Sequence, residues 1–284
     1  MFKSISLYQF NQELGLSVIE IEAILELNPF KELSAIEEKT YGFIPISNDM
    51  VTFKKGKGIL FAIQTEFKPI NKKAVNQEAT KKVKTIQETE NRKVKKAERD
   101  TIVNEVYHNV LLTTLPVDEL IHVYITDEFV AVNTSSSKKA EEVLSYLRSI
   151  FRTLDVVPLE NVLTYNNEFT NWVLSPISKP SDITLMSPFK LVRINDDEST
   201  ESITLKVNNT NDPAIPPIAE FLSTFNITTL SATIGDYQFT ISDKFIITNC
   251  KSNIDFGVDD SSYYLITDMV EFMWNKLTKV FNDV

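Results

Sequence analysis

Cysteine is almost missing: Cys250 is the only one in 284 residues. No internal disulfide and no cysteine-based zinc site can form, and a reducing compartment is expected. Glycine is scarce as well, six residues, and no G-x-x-x-x-G-K-[ST] run occurs. P-loop ATPases and dinucleotide enzymes are therefore set aside. Only two histidines are present, His108 and His122, with no local Ser/His/Asp pattern around them; both are read as structural residues, and no cofactor is expected. Apolar runs long enough to span a bilayer are lacking, and Met1–Ser6 has none of the apolar core of a secretory signal. Export is not expected, so the Asn-x-Ser/Thr matches at Asn133, Asn208 and Asn226 are not read as glycosylation sites, and a cytoplasmic protein without membrane contact is anticipated. What remains is an ordinary globular balance, 43% hydrophobic and 24% charged, with a mean hydropathy of −0.11.

Positive charge is in the minority and unevenly placed. The chain carries 29 Lys+Arg against 39 Asp+Glu, net −10. Residues 68–99 nevertheless hold 11 basic and 4 acidic side chains, net +7, which leaves the remainder at 18 against 35, or −17. A local field of that kind can attract a polyanion while the rest of the surface repels it.

The pattern of apolar residues implies an α+β class with antiparallel hairpins. Residues 2–10 read as a strand, and Ser17-Val18-Ile19-Glu20 is a capping box opening a helix that should stop at Asn28-Pro29. Short strands are expected at Phe43–Ile46, Val51–Phe53 and Gly58–Thr65, the last two joined by the basic turn Lys54-Lys55-Gly56-Lys57. From Asn71 to about Val110 there is neither Gly nor Pro, and strong helix formers dominate. One long basic helix over 71–110 is predicted. At 100° per residue Val75, Ala79, Val83, Ile86, Val94 and Ala97 fall on one side, while Lys81, Lys84, Arg92, Lys95, Lys96 and Arg99 lie within about 120° of each other on the opposite one. Such a helix covers roughly 27 Å from Lys81 to Arg99, enough to follow several phosphates of a duplex.

Strands at Leu120–Ile125 and Phe129–Asn133 and a helix opened by Ser135-Ser136-Ser137-Lys138-Lys139 complete a first region, 1–174. Pro176, Pro180 and Pro188 mark a connecting loop over 175–188. A second region, 175–284, has strands at Ile203–Val207, Ile227–Ile234, Tyr237–Ser242 and Lys244–Asn249, a helix after Pro213–Pro217, and a closing helix through Ile266, Met269, Val270, Met273, Leu277 and Val280. Phe225, Tyr237, Phe239, Tyr263 and Tyr264 are read as core.

The basic helix face is the leading functional signal, because stabilising i,i+4 pairs would call for near parity of charge. Lys138 and Lys139 are the second. Two lysines in a first helical turn oppose the macrodipole, whereas an anion would be met there by hydroxyls, free N–H groups and two ammoniums. A metal-dependent nuclease needs two or three convergent carboxylates; Asp196-Asp197-Glu198, Asp259-Asp260 and Glu37-Glu38-Lys39 are the short candidates.

Phe2-Lys3 with Tyr8, Gly42-Phe43-Ile44-Pro45, the lysine-rich helix running into Glu105-Val106-Tyr107-His108, Ser137-Lys138-Lys139-Ala140-Glu141, Val156-Val157-Pro158-Leu159 and Phe169-Thr170-Asn171-Trp172-Val173 together resemble the RdgC family of recombination-associated proteins. The resemblance implies an α+β subunit of a ring-shaped homodimer whose positively lined hole takes duplex DNA without sequence preference, restraining RecA-driven strand exchange on the nucleoid. Two places depart from the family. Where a finger-like hairpin with arginines and an exposed aromatic is usual, this chain has Leu112–Asp118, with Leu115 in the aromatic's place. After Arg193 it has Asn195-Asp196-Asp197-Glu198, a loop that repels phosphate. The expected DNA-binding residues are Lys81, Lys84, Arg92, Lys93, Lys95, Lys96 and Arg99, assisted by Lys138 and Lys139, with no catalytic residue and no metal. The alternatives are a metal-dependent exonuclease and a diverged protein whose basic helix binds an acidic partner.

Overall fold

The computed structural model describes residues 2–47, 50–163, 165, 167–206, 221–252 and 260–282. These residues form an α+β structure with a large antiparallel sheet and six α-helices, divided into two compact units. One comprises residues 1–24, 45–61 and 122–284, the other residues 25–44 and 62–121.

In the first unit the central strand is β1 (Ser4–Phe10). It pairs on one side with β6 (Phe129–Val132), and on the other with β12 (Ile247–Ser252) and then β7 (Val156–Pro158). Beyond β12 the antiparallel order continues through β11 (Tyr237–Ser242), β10 (Asn226–Ile234) and β8 (Ile183–Ile194) to β9 (Thr200–Leu205). On the opposite flank β6 pairs with the last residues of β5 (Val117–Ile125). A hairpin of β3 (Phe53–Lys55) and the start of β4 (Gly58–Phe67) turns at Gly56, whose φ of +58° suits glycine. Three helices of this unit are α4 (Ser137–Phe151), α5 (Glu168–Leu174) and α6 (Asp260–Asn282). The 3.6-residue spacing of Ile266, Met269, Val270, Met273, Leu277 and Phe281 puts one face of α6 into a core with Ile5, Phe189, Leu230, Phe239 and Phe245.

The capping box opens α1 (Val18–Glu26) as its sequence dictates: the Ser17 N–H donates to Glu20 Oε2 at 2.8 Å and the Glu20 N–H to Ser17 Oγ at 3.3 Å.

In the second unit β2 (Lys39–Ile44) pairs with the second half of β4, from Lys39 opposite Phe67 to Ile44 opposite Ala62. At Gly42 the backbone of Phe30 passes so close that an added Cβ would lie 2.0 Å from its Cα, which gives the Gly42-Phe43 landmark a steric cause. The rest of the unit is dominated by α2 (Lys72–Glu90) and α3 (Lys96–Thr113). Val75, Ala79 and Val83 pack against Ile102 and Val106, flanked by Ile70, Ile86, Val94 and Val110.

That hairpin corrects the expectation of a single helix over 71–110. Asn91, left-handed at φ 48°, caps α2 and reverses the chain. Asparagine tolerates this conformation nearly as glycine does, so a break needs neither Gly nor Pro. Ala97, placed by the single-helix projection on the apolar side, is exposed. Two other expectations change. Residues 183–188 belong to β8, not to a loop, because Ser187 and Pro188 fall in the register shift opposite Leu230/Ser231, where the ladder asks for no donor. Tyr264 is half exposed, its ring lying 4.8 Å from Lys55 Nζ, and is not core; Phe225, Tyr237 and Phe239 are buried. The helix expected after Pro213–Pro217 lies outside the described residues.

Candidate nucleic-acid interface

Seven of the nine expected residues stand on the α2–α3 hairpin, and the chain reversal redistributes them. Lys81 and Lys84 stay on the polar side of α2, opposite the Val75–Ala79–Val83 row. Arg92, Lys93 and Lys95 occupy the turn, and Lys96 and Arg99 the first turn of α3. The single 27 Å stripe is thus replaced by a helix face and a basic hairpin end. Lys138 and Lys139 belong to the other unit, at the start of α4.

At the hairpin end Lys93, Lys95, Lys96 and Arg99 are all exposed, and among the described residues none of the four takes part in a salt bridge. Arg92 differs. Its Nε donates to Glu90 Oε2 at 2.5 Å, and its Nη1 and Nη2 donate to the two oxygens of Glu98 at 2.7 and 2.5 Å. These hydrogen bonds hold the Glu98 carboxyl below the usual carboxylate range and push the guanidinium pKa further up. On α2, Lys81 meets Glu78 at 3.8 Å and Lys84 meets Glu88 at 3.7 Å, all four side chains mostly exposed. Exposed pairs of this kind are worth little and give way readily to another anion.

Three cations that pattern reasoning did not single out share the hairpin. Lys72, Lys73 and Lys82 are exposed on α2, and Lys72 and Lys73 border an open groove with Asn76, Gln77, Thr80 and Lys81, free of carboxylates. The signal that would have found them was the charge imbalance itself. Lys68, counted in that imbalance, is buried and donates to the Ala35 carbonyl at 2.6 Å.

The other charged features resolve into internal contacts. The basic turn before β4 is neutralised by its own unit: Lys54 pairs with Glu22, Lys57 with Asp127, and Lys55 with Asp268 at 3.0 Å and Glu271 at 2.8 Å. A cavity of about 300 Å³ beside this turn, bordered by Lys55, Lys57, Asp127, Glu128, Glu271 and Trp274, is lined by these same pairs and by the Trp274 indole N–H donating to Glu128. At α4 the Ser136 hydroxyl accepts the Lys139 N–H at 3.4 Å as a plain N-cap, and Lys138 faces Glu142 at 3.9 Å.

Of the carboxylate candidates, Glu37 accepts the Ser34 N–H at 3.0 Å and Glu38 accepts the Tyr107 hydroxyl at 2.6 Å. Asp197 accepts the Ser199 N–H at 3.0 Å in the exposed turn between β8 and β9. Asp259 lies outside the described residues. No three His, Cys, Asp or Glu among the described residues are grouped so as to hold a metal ion. His108 is exposed on α3, and His122 is half-buried in β5, its pKa lowered by burial. Among the same residues no helix is long and apolar enough to cross a membrane.

The chain is thus an α+β protein carrying a helical hairpin with an exposed, largely unneutralised basic end. A family model described as "Putative exonuclease, RdgC" matches residues 1–245, and the chain belongs to the RdgC family. Curated relatives include the "Recombination-associated protein RdgC" of Haemophilus influenzae strain PittGG, 28% identical over 177 residues, or 61% of this chain and 59% of the relative. The protein of the same name from Proteus mirabilis is 29% identical over 195 residues, 67% and 64% of the two chains. That from Shewanella frigidimarina is 30% identical over 182 residues, 61% and 58%. The chain thus spans about three-fifths of the length of the curated relatives it matches.

Proposed function

We propose that the chain binds double-stranded DNA without sequence preference, pairs into a homodimer, and by occupying DNA modulates RecA-dependent recombination, with no reaction of its own. The observation that carries this reading is the set of four exposed cations, Lys93, Lys95, Lys96 and Arg99, at the closed end of the α2–α3 hairpin, which form no salt bridge among the described residues. Phosphates are their natural counter-charge, and the acidic remainder of the chain limits binding to this surface. Lys81 and Lys84 extend it along α2; Lys138 and Lys139 assist from α4.

The shape of the hairpin favours backbone contact over base readout. Two packed helices, with axes 8–10 Å apart and each 10–12 Å across, measure about 20 Å. The major groove is only about 12 Å wide, so the pair rides on phosphates and carries no base code. The names of the relatives place them in recombination, which fits a protein competing with RecA for duplex. A ring-shaped dimer with the hairpin facing its hole would set the positive charge inside and the −17 remainder outside, on the nucleoid.

Fluorescence anisotropy on two unrelated 30-base-pair duplexes tests the DNA reading. Equal affinities are expected, both weakened to the same extent in a Lys95→Ala/Lys96→Ala/Arg99→Ala variant. A strong preference for one duplex, or a variant that binds like wild type, would defeat it. The family model that matches the chain is described as "Putative exonuclease, RdgC", which supports a second reading. End-labelled duplex incubated with Mg²⁺ or Mn²⁺ is expected to keep its length; EDTA-sensitive shortening would move the assignment to a nuclease. Light scattering of the purified chain, expected at twice the monomer mass, tests the homodimer.

A further inference from the structure

We propose that Arg92 is a positioning residue that masks Glu90 and Glu98 beside the phosphate-binding cations and is not itself a phosphate contact, a role that rests on the DNA-binding reading above. Three of the guanidinium's five N–H groups are spent on two carboxylates, with Glu98 engaged through both oxygens. The charge of Arg92 is outweighed by its own partners, so a phosphate approaching its remaining edge meets two carboxylates at close range.

The same fork spans the reversal. Glu90 is the last residue of α2 and Glu98 lies in the first turn of α3, so Arg92 ties the two helix ends together around the left-handed Asn91. Lys93 and Lys95 are presented from the short segment between. A guanidinium suits the task, since its planar fork grips Glu98 at two points and Glu90 at a third, which an ammonium does not reproduce. Without Arg92, Glu90 would lose its guanidinium partner and Glu98 would keep only its interactions with Lys95, leaving two carboxylates poorly compensated within a few residues of Lys93, Lys95, Lys96 and Arg99.

The test compares wild type, Arg92→Gln, and Arg92→Gln/Glu90→Gln/Glu98→Gln in salt titrations of binding to a 30-base-pair duplex. Arg92→Gln is expected to bind about fivefold more weakly, the effect of bare charge a few ångströms from a phosphate in water. The triple variant is expected to return to within about twofold of wild type, with all three slopes of log K against log salt alike. A triple variant that stays weak, with a slope shallower by about 0.9, would make Arg92 a phosphate contact and overturn the proposal. Wild type that binds duplex without salt dependence would overturn the DNA reading and this role with it.

Discussion

If the segment 71–113 is a hairpin, residues equally distant from its turn must lie side by side. Asn76 on α2 and Asn109 on α3 are both exposed and roughly symmetric about the reversal at Asn91–Val94. In a continuous helix the 33 residue steps from one to the other, at 1.5 Å each, would separate their Cα atoms by about 50 Å. Packed helices 8–10 Å apart bring them within about 10–15 Å, and spin labels on both sites within about 25 Å. Asn76→Cys and Asn109→Cys can be labelled over the buried Cys250, whose thiol is shielded, and the distance read by electron paramagnetic resonance. A distribution centred near 50 Å would refute the hairpin and restore the single basic stripe. A short distance fixes the geometry on which the functional proposal depends.

Other expectations follow from burial and backbone geometry. Gly42→Ala drives a Cβ into the Phe30 backbone and opposes the bonds from the Phe30 N–H to the Phe43 carbonyl and from the Phe43 N–H to the Asn28 carbonyl; a loss of about 2–4 kcal/mol is expected in urea unfolding, and a near-neutral variant would contradict the close approach. Burial lowers the His122 pKa, so below about pH 6.5 the unfolded chain takes up a proton that the folded one resists. Stability should then fall with decreasing pH by up to about 1.4 kcal/mol per unit, more shallowly in His122→Gln; equal slopes would place the ring in water. Burial pushes the Cys250 thiol up to about 12, so a disulfide reagent at pH 8 should label it only after denaturant is added, and rapid labelling of the native protein would mean that the site opens.

The sequence is most legible where the physics is local. The capping box at Ser17 and Glu20, the strand Tyr237–Ser242 and the apolar face of α6 all appear where their patterns put them, since each depends on neighbours a few residues away. The reversal at Asn91 was hidden because composition on both sides of it favours helix, and one left-handed asparagine is a weak mark against twenty strong helix formers between residues 71 and 110. The turn Lys54–Lys57 looks like a free basic patch in sequence, yet its counter-charges come from Glu22, Asp127, Asp268 and Glu271, up to 216 positions away. The pairing of Arg92 is hidden in sequence for the opposite reason: its partners are two and six residues off, but only a turned chain brings Glu90 and Glu98 to one guanidinium. Basic composition marks the segment in sequence, and charge pairing in the structure separates the cations that share a salt bridge from those that do not.

The most direct measurement is the salt dependence of duplex affinity for wild type and for a variant with Lys93, Lys95, Lys96 and Arg99 all changed to Gln. If each of the four meets a phosphate, the slope of log K against log salt becomes shallower by about 3.6, at about 0.9 per contact. An identical slope in the two proteins would remove the hairpin end from the nucleic-acid interface.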